Sequence, residues 1–379
     1  MENTRKKIGI LYHFSTKWMG GVIYTLNIIK TLNFLEDEKK PEIYLFYNPN
    51  LQRFVDELDY PYLHKIAQPY PSVYKNFIKS FLTQKNTFVD GLIQQYGLNT
   101  IFPLHDYPVK SSTDCKLISW YADLQQMHYP QFFSYFKRLE RYWRIQFILK
   151  NTKDLVVSSY DVKSDFYRFF EIPNNVKFHV YHFVSIVDTF PSYSKEEIQK
   201  ELNLPDNYFV ISNQFHKHKN HKVALQAIAY LKKQGKIVNL VFTGKLPEDS
   251  QSEYINELKK IIAKNALNQQ VTFLGVLPRD TQLSVMRHAD AILQPSLFEG
   301  WSTVIEDSIS LQKPVICSNL SVNVEQLKET GNYFSPHNYK ELSEILVSKD
   351  FSKIQTPIYQ SYQERVTNAA NTLYKILTD

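Results

Sequence analysis

The chain has 379 residues, 43% of them hydrophobic and 22% charged, which favours two or three folded domains and excludes a disordered or fibrous chain. Its two cysteines, Cys115 and Cys317, give neither a disulfide framework nor metal-ligand spacing, and no apolar run reaches the ~20 residues that span a bilayer. The formal net charge of +6 lies in residues 1–185, where 23 Lys and Arg face 17 Asp and Glu, while the remainder holds 21 of each. A basic first half suits an anionic membrane surface or a phosphate-bearing acceptor, and equally a solvated surface rich in lysine. Charge this dispersed does not indicate a nucleic-acid partner. The opening Arg5-Lys6-Lys7 and Ile8-Gly9-Ile10-Leu11 break at Tyr12-His13, too soon for a signal-peptide core. A cytoplasmic location is expected, with peripheral contact at the inner face of the membrane as an option.

In chain order, strands are predicted near 7–14, 43–48, 100–104, 116–121, 154–159 and 176–183, with helices near 21–35, 87–96, 131–150 and 160–170. A second series has strands near 208–213, 238–243, 270–275, 290–294, 314–318 and 332–335. Its helices fall near 220–234, 250–266, 279–288, 302–311 and 321–330. Alternation of this kind builds parallel sheets, and two doubly wound sheets fit better than one of twelve strands. The expected organisation is α/β with two Rossmann-like domains. Residues 1–185 form the first and 186–355 the second, with the break in Ser185–Ser194. Residues 356–379 add a helix whose stripe Tyr362, Val366, Ala369, Leu373 and Ile376 must pack on one of them.

The densest candidate site is Leu297–Asp307, read Leu-Phe-Glu-Gly-Trp-Ser-Thr-Val-Ile-Glu-Asp, between strand Ala291–Leu293 and a helix. In a parallel sheet this carboxyl edge is where ligands bind, and the helix N-terminus offers N–H groups to a diphosphate. Gly300 and Trp301 lead into Ser302 and Thr303, which would bond phosphate oxygens or cap the helix. Glu299 would repel phosphate, so its use is to accept from sugar hydroxyls, with Asp307 reaching a ribose. The plainer reading is a capped helix with acidic dipole partners. A second cluster, Ser212–His221, fills another strand–helix junction with donors: Gln214 and Lys219 suit a diphosphate. His216, His218 and His221 also admit a metal, but the neighbouring lysines argue against it, and no metal is expected.

In the first half, Asp123 and His128 follow the strand ending at Tyr121, where they would position or polarise an acceptor hydroxyl or serve as turn and cap residues. Gly20-Gly21, just before a helix, would let backbone approach a phosphate or sugar. No Walker lysine loop and no Gly-x-Gly-x-x-Gly is present, so NTP hydrolysis and NAD binding are not indicated. The aromatic, cationic stretch Phe132–Phe147 is half core or part membrane-facing.

These residues resemble those of the retaining glycosyltransferases of family 4 (group 1), in a bacterial subgroup, most strongly from Val210 to Glu325. Glu299–Asp307 aligns with the family's Glu-x7-Glu, with Asp307 in place of the second Glu and Glu306 beside it. Lys219 matches the family's diphosphate lysine, while Gln214 stands where arginine is usual. Gly20-Gly21 is similar to its glycine loop, and Trp120–Pro130 to an acceptor-side stretch. The resemblance implies a GT-B fold with two domains facing each other across a cleft and a final helix crossing back to the first. It implies transfer of a hexose or deoxyhexose, with retention, from a nucleoside-diphosphate sugar to a glycan or lipid-linked acceptor in surface polysaccharide synthesis. No cofactor beyond the donor is implied. The competing readings are a non-catalytic sugar-nucleotide or glycan-binding homologue acting as an assembly partner, and a nucleotide-sugar epimerase.

Overall fold

A computed structural model describes residues 5–14, 19–83, 85–104, 113–187, 190–246, 253–348 and 359–379. The chain divides into two compact units, Met1–Val184 with Ser361–Asp379, and Ser185–Gln360. Each is built on one parallel sheet with helices in the connections, the arrangement expected from the alternating pattern. Among the described residues no helix is long and apolar enough to cross a membrane.

The first unit holds β1 (Lys7–Tyr12), β2 (Glu42–Tyr47), β3 (Leu63–Ala67), β4 (Thr100–Leu104), β5 (Lys116–Tyr121), β6 (Asp154–Val157) and β7 (Lys177–Val180). They lie in the order β3-β2-β1-β4-β5-β6-β7, so the winding reverses between β1 and β4. The central strands are continuous apolar runs because both faces are covered: every residue of β4 is buried. Gly9 lets β1 sit this close, since a Cβ there would lie 2.8 Å from Leu98 Cδ1. β3 was not expected from sequence. It is an edge strand, Leu-His-Lys-Ile-Ala, in which only Leu63 and Ile66 are even half-buried, so it carries no apolar run.

Helix Tyr362–Thr378 belongs to this unit and buries Val366, Ala369, Leu373 and Ile376. Its last carbonyls, which no further turn can satisfy, are met from the sheet. Thr100 Oγ1 donates to Leu377 O at 2.7 Å, and Lys116 Nζ to Ile376 O at 2.8 Å.

The second unit holds β8 (Phe209–Ser212), β9 (Leu240–Thr243), β10 (Val271–Gly275), β11 (Ala291–Gln294), β12 (Val315–Ser318) and β13 (Asn332–Phe334), in the order β10-β9-β8-β11-β12-β13. All six were legible as short apolar runs. Their inward residues Ile211, Phe242, Leu293 and Ile316 pack with Val223, Ala227 and Ile228 of helix His221–Lys233. The winding reverses between β8 and β11, so the ends of β8 and β11, at Ser212 and Gln294, flank the switch point where ligands bind in such sheets.

Candidate active site

At this switch point the polar side chains form linked assemblies. β11 ends in Gln294, which is completely buried and therefore needs partners at both ends of its amide. Asn213 Nδ2 donates to Gln294 Oε1 at 2.7 Å, and Gln294 Nε2 donates to Glu299 Oε1 at 2.7 Å. Lys219 Nζ reaches the same Glu299 oxygen at 2.7 Å. Lys219 ends a short turn, Lys217–Lys219, after which Asn220 takes the left-handed conformation (φ 54°). Asn220 Nδ2 donates to Pro336 O at 2.8 Å, and Leu297 N to His218 O at 2.7 Å, so the Lys219 and Glu299 loops are fastened to their surroundings. The pair is partly buried, with side-chain exposures of 18% and 9%. Glu299 Oε1 takes both donors.

The histidines around Lys219 do not share its charge. His221 is fully buried, stacked on Phe215 with ring centroids 4.4 Å apart, and burial followed by the Lys219 charge pushes it down to about 3. The same two causes push His218 down to about 2. The His216 and His218 rings stack at 5.6 Å, and His216 Nε2 lies 3.0 Å from Gln214 Oε1, which is where Gln214 is engaged. Lys217 pairs on the surface with Glu253 at 3.1 Å. Among the described residues no group of three or more His, Cys, Asp and Glu is placed to hold a metal ion.

Two further assemblies fix helix Thr303–Ser310. Ser302 caps it, accepting from Ile305 N at 3.3 Å, while Gln326 accepts from Ser302 N at 3.2 Å and donates to Ser302 O at 3.0 Å. Gln326 also donates to Glu306 Oε1 at 2.8 Å. Gly300 is buried, and Trp301 and Thr303 are half-buried. Asp307, almost fully buried, is gripped at both carboxylate oxygens by Arg279, with Nη1 to Oδ2 at 2.8 Å, and Ser185 Oγ donates to it as well. Arg279 Nη1 also donates to Gln282 Oε1 at 3.2 Å, and Gln282 Nε2 to Ser212 Oγ at 2.6 Å. Arg279, Gln282, Gln294 and Gln326 were not singled out from sequence, since nothing local marks them. Gly244 was also missed: at φ 124°, a Cβ there would come 2.3 Å from Asn213 O, so only glycine lets the end of β9 approach this loop.

In the first unit, Asp123 Oδ1 accepts from Gln125 N at 3.0 Å, the turn role weighed for it. His128 Nε2 lies 2.6 Å from Asp165 Oδ2, a partner from helix Tyr160–Phe169 that the sequence did not mark. Gln126 Oε1 accepts from Arg141 Nη1 at 3.1 Å. Gly20 and Gly21 fall inside the first turn of helix Met19–Leu32 rather than before it, and the loop at 15–18 lies outside the described residues.

Residues 194–348 match the family model for glycosyl transferases group 1. Over 163 residues the chain is 28% identical to Staphylococcus aureus protein CapJ, covering 42% of this chain and 40% of that one. Over 173 residues it is 24% identical to the Escherichia coli O-antigen biosynthesis glycosyltransferase WclY, covering 45% and 46%. The matches thus span under half the length of these curated relatives. The crystal structure of Anabaena HepE in complex with UDP and glucose superposes with a TM-score of 0.68 at 17% identity, covering 98% of this chain and 97% of that one. Two parallel α/β units, this likeness of fold and the matched segment agree: the chain has the GT-B glycosyltransferase fold, with residues 194–348 matching the glycosyl transferases group 1 model.

Proposed function

We propose that the chain is a glycosyltransferase that moves a hexose or deoxyhexose, with retention, from a nucleoside-diphosphate sugar to a glycan or lipid-linked acceptor of surface polysaccharide synthesis. The Lys219–Glu299 contact at 2.7 Å carries this reading. It sets a fixed cation beside a carboxylate at the ligand edge of a parallel sheet, and a phosphate-linked neutral sugar needs both. Lys219 meets the diphosphate and stabilises its charge as the glycosidic bond breaks. Glu299, oriented by Gln294, accepts from sugar hydroxyls. Gly300 to Thr303 bring backbone to the phosphates and Gln214 adds an amide, while Asp307 and Glu306, both buried and bonded to Arg279 and Gln326, fix the helix rather than reach the ribose expected for them. The leaving phosphate takes the acceptor's proton, and no cofactor or metal is required. On the acceptor side, Asp165 orients the His128 imidazole and Asp123 holds the loop before it; Gly20 and Gly21 let backbone at the start of helix Met19–Leu32 approach a phosphate or sugar. The WclY relative, by name an O-antigen glycosyltransferase, and the HepE complex with UDP and glucose support the choice of acceptor and donor classes.

The test is a panel of nucleoside-diphosphate sugars offered with and without glycan acceptors. The expected result is product growth only when both substrates are present, lost in Lys219→Ala. Sugar interconversion without acceptor would identify an epimerase instead. Tight donor binding with no transfer to any acceptor would favour a non-catalytic binding homologue, a reading that Gln214 in place of arginine and the Arg279-bound Asp307 also suit.

A further inference from the structure

The helical layer of the second unit holds a cavity of about 390 Å³ away from the switch point. It lies between helices His221–Lys233 and Glu253–Lys264, with Tyr339, the first residue of helix Tyr339–Leu346, on its wall. Tyr230, also on the wall, stands about 14 Å of helical rise beyond His221, which separates the cavity from the Lys219–Glu299 pair.

Three lysines line it, Lys233 from the first helix and Lys260 and Lys264 from the second, and among the described residues none of them has an ion-pair partner. The one carboxylate on the wall, Glu257, is already taken by Lys222 at 2.5 Å. Lys260 and Lys264 stand four positions apart on one helix, where like charges repel and a solvated face normally alternates sign. An anion between them removes that repulsion. The rest of the wall is aromatic. The half-buried Tyr230 and Tyr339 rings meet edge to face with centroids 5.8 Å apart, and neither hydroxyl has a hydrogen-bond partner among the described residues.

We propose that this cavity binds a small phosphate-bearing ring compound, its phosphate among Lys233, Lys260 and Lys264 and its ring against Tyr230 and Tyr339. Ammonium groups make charge-assisted bonds to phosphate oxygens, and a tyrosine ring offers a face to the flat side of a sugar or a base. The volume falls in the range of small-molecule sites, and unpaired lysines from two helices give the charge that a single phosphate needs. The proposal stands independently of the donor-site reading.

The test is calorimetric titration of the whole chain, wild type and Lys219→Ala, with glucose 6-phosphate, uridine monophosphate and inorganic phosphate. Binding of one or both ring compounds is expected to survive Lys219→Ala, to exceed that of inorganic phosphate and to weaken as salt rises. The two ring compounds compared tell a sugar phosphate from a nucleotide. Lys260→Glu with Lys264→Glu, and separately Tyr230→Leu, should each weaken this binding by roughly tenfold or more. Lys260→Arg with Lys264→Arg, which keeps the charge, should retain it. No binding of either ring compound at millimolar concentration, or equal binding by the glutamate pair and the wild type, would overturn the proposal. So would binding that Lys219→Ala abolishes and the cavity variants leave intact, since the ligand would then sit at the switch point.

Discussion

Lys219 Nζ and Gln294 Nε2 both donate to one oxygen of Glu299, each at 2.7 Å, although Lys219 and Glu299 are 80 positions apart in sequence. The carboxylate is held by a neutral amide and a cation together. A diphosphate arriving at Lys219 would draw the ammonium toward itself, while Gln294 keeps Glu299 in place for the sugar.

A split between diphosphate and sugar recognition follows. A nucleoside diphosphate at ~100 times its dissociation constant adds about 2.7 kcal/mol of stability to a protein that binds it. Lys219→Ala should lose that stabilisation. Glu299→Gln should keep the diphosphate effect, because the amide still fills the same space, and lose the increment that the sugar adds. Thermal melting with diphosphates and their sugars measures both. Equal responses from the two variants would show that the residues do not divide the donor as argued.

Asp307 and Arg279 form a two-point pair, and Asp307 is almost wholly inaccessible. Removing one partner strands the other's charge in a site with little water. Arg279→Ala should cost about 2–4 kcal/mol in urea unfolding, and Arg279→Lys nearly as much, because an ammonium cannot reproduce the planar fork. A cost below about 1 kcal/mol would mean the pair is solvated and contributes little.

Much of this was legible beforehand, and the division has a physical cause. Strands such as Phe209–Ser212 and Ala291–Gln294 are covered on both faces, so each reads as an apolar run. β3 gives no such signal because it lies at an edge, and in helix Val73–Thr83 the polar Asn76 and Ser80 are buried while Ile78 and Leu82 are exposed. At the site, Lys219 and Glu299 stand at strand–helix junctions where the chemistry is local. Gln294 and Arg279 matter only through partners far along the chain, Glu299 and Asp307. A sequence read segment by segment does not bring such residues together.

His221 makes the acid limb of stability predictable. Its folded value is depressed to about 3 from the ordinary 6.5, so between these limits the unfolded chain holds a proton that the folded chain does not. Stability from this group therefore falls as pH drops below 6.5 and is unaffected above it. The loss amounts to about 2 kcal/mol by pH 5. His221→Phe, which can still stack on Phe215, should make that limb shallower in denaturant midpoints measured from pH 5 to 8, leaving the share that His218 contributes in the same way. A pH profile unchanged by the substitution would show that His221 becomes protonated within the folded protein.

The last helix supplies the remaining test, because its place in the first unit depends on both ends of the argument. Leu373 is completely buried, and truncation to alanine removes that contact and leaves a cavity, costing about 2–4 kcal/mol. Lys116→Met and Thr100→Val instead remove the donors to Ile376 O and Leu377 O while leaving the apolar stripe intact. Each should cost about 1 kcal/mol, the worth of a capping bond. Because the helix packs within the first unit, all three losses should appear in the unfolding of that unit, read by hydrogen exchange of β1 and β4 amides. Exchange in β8 and β11 should be unchanged. Faster exchange in β8 and β11 with β1 and β4 unaffected would place the helix's stabilising contacts on the second unit and overturn the assignment.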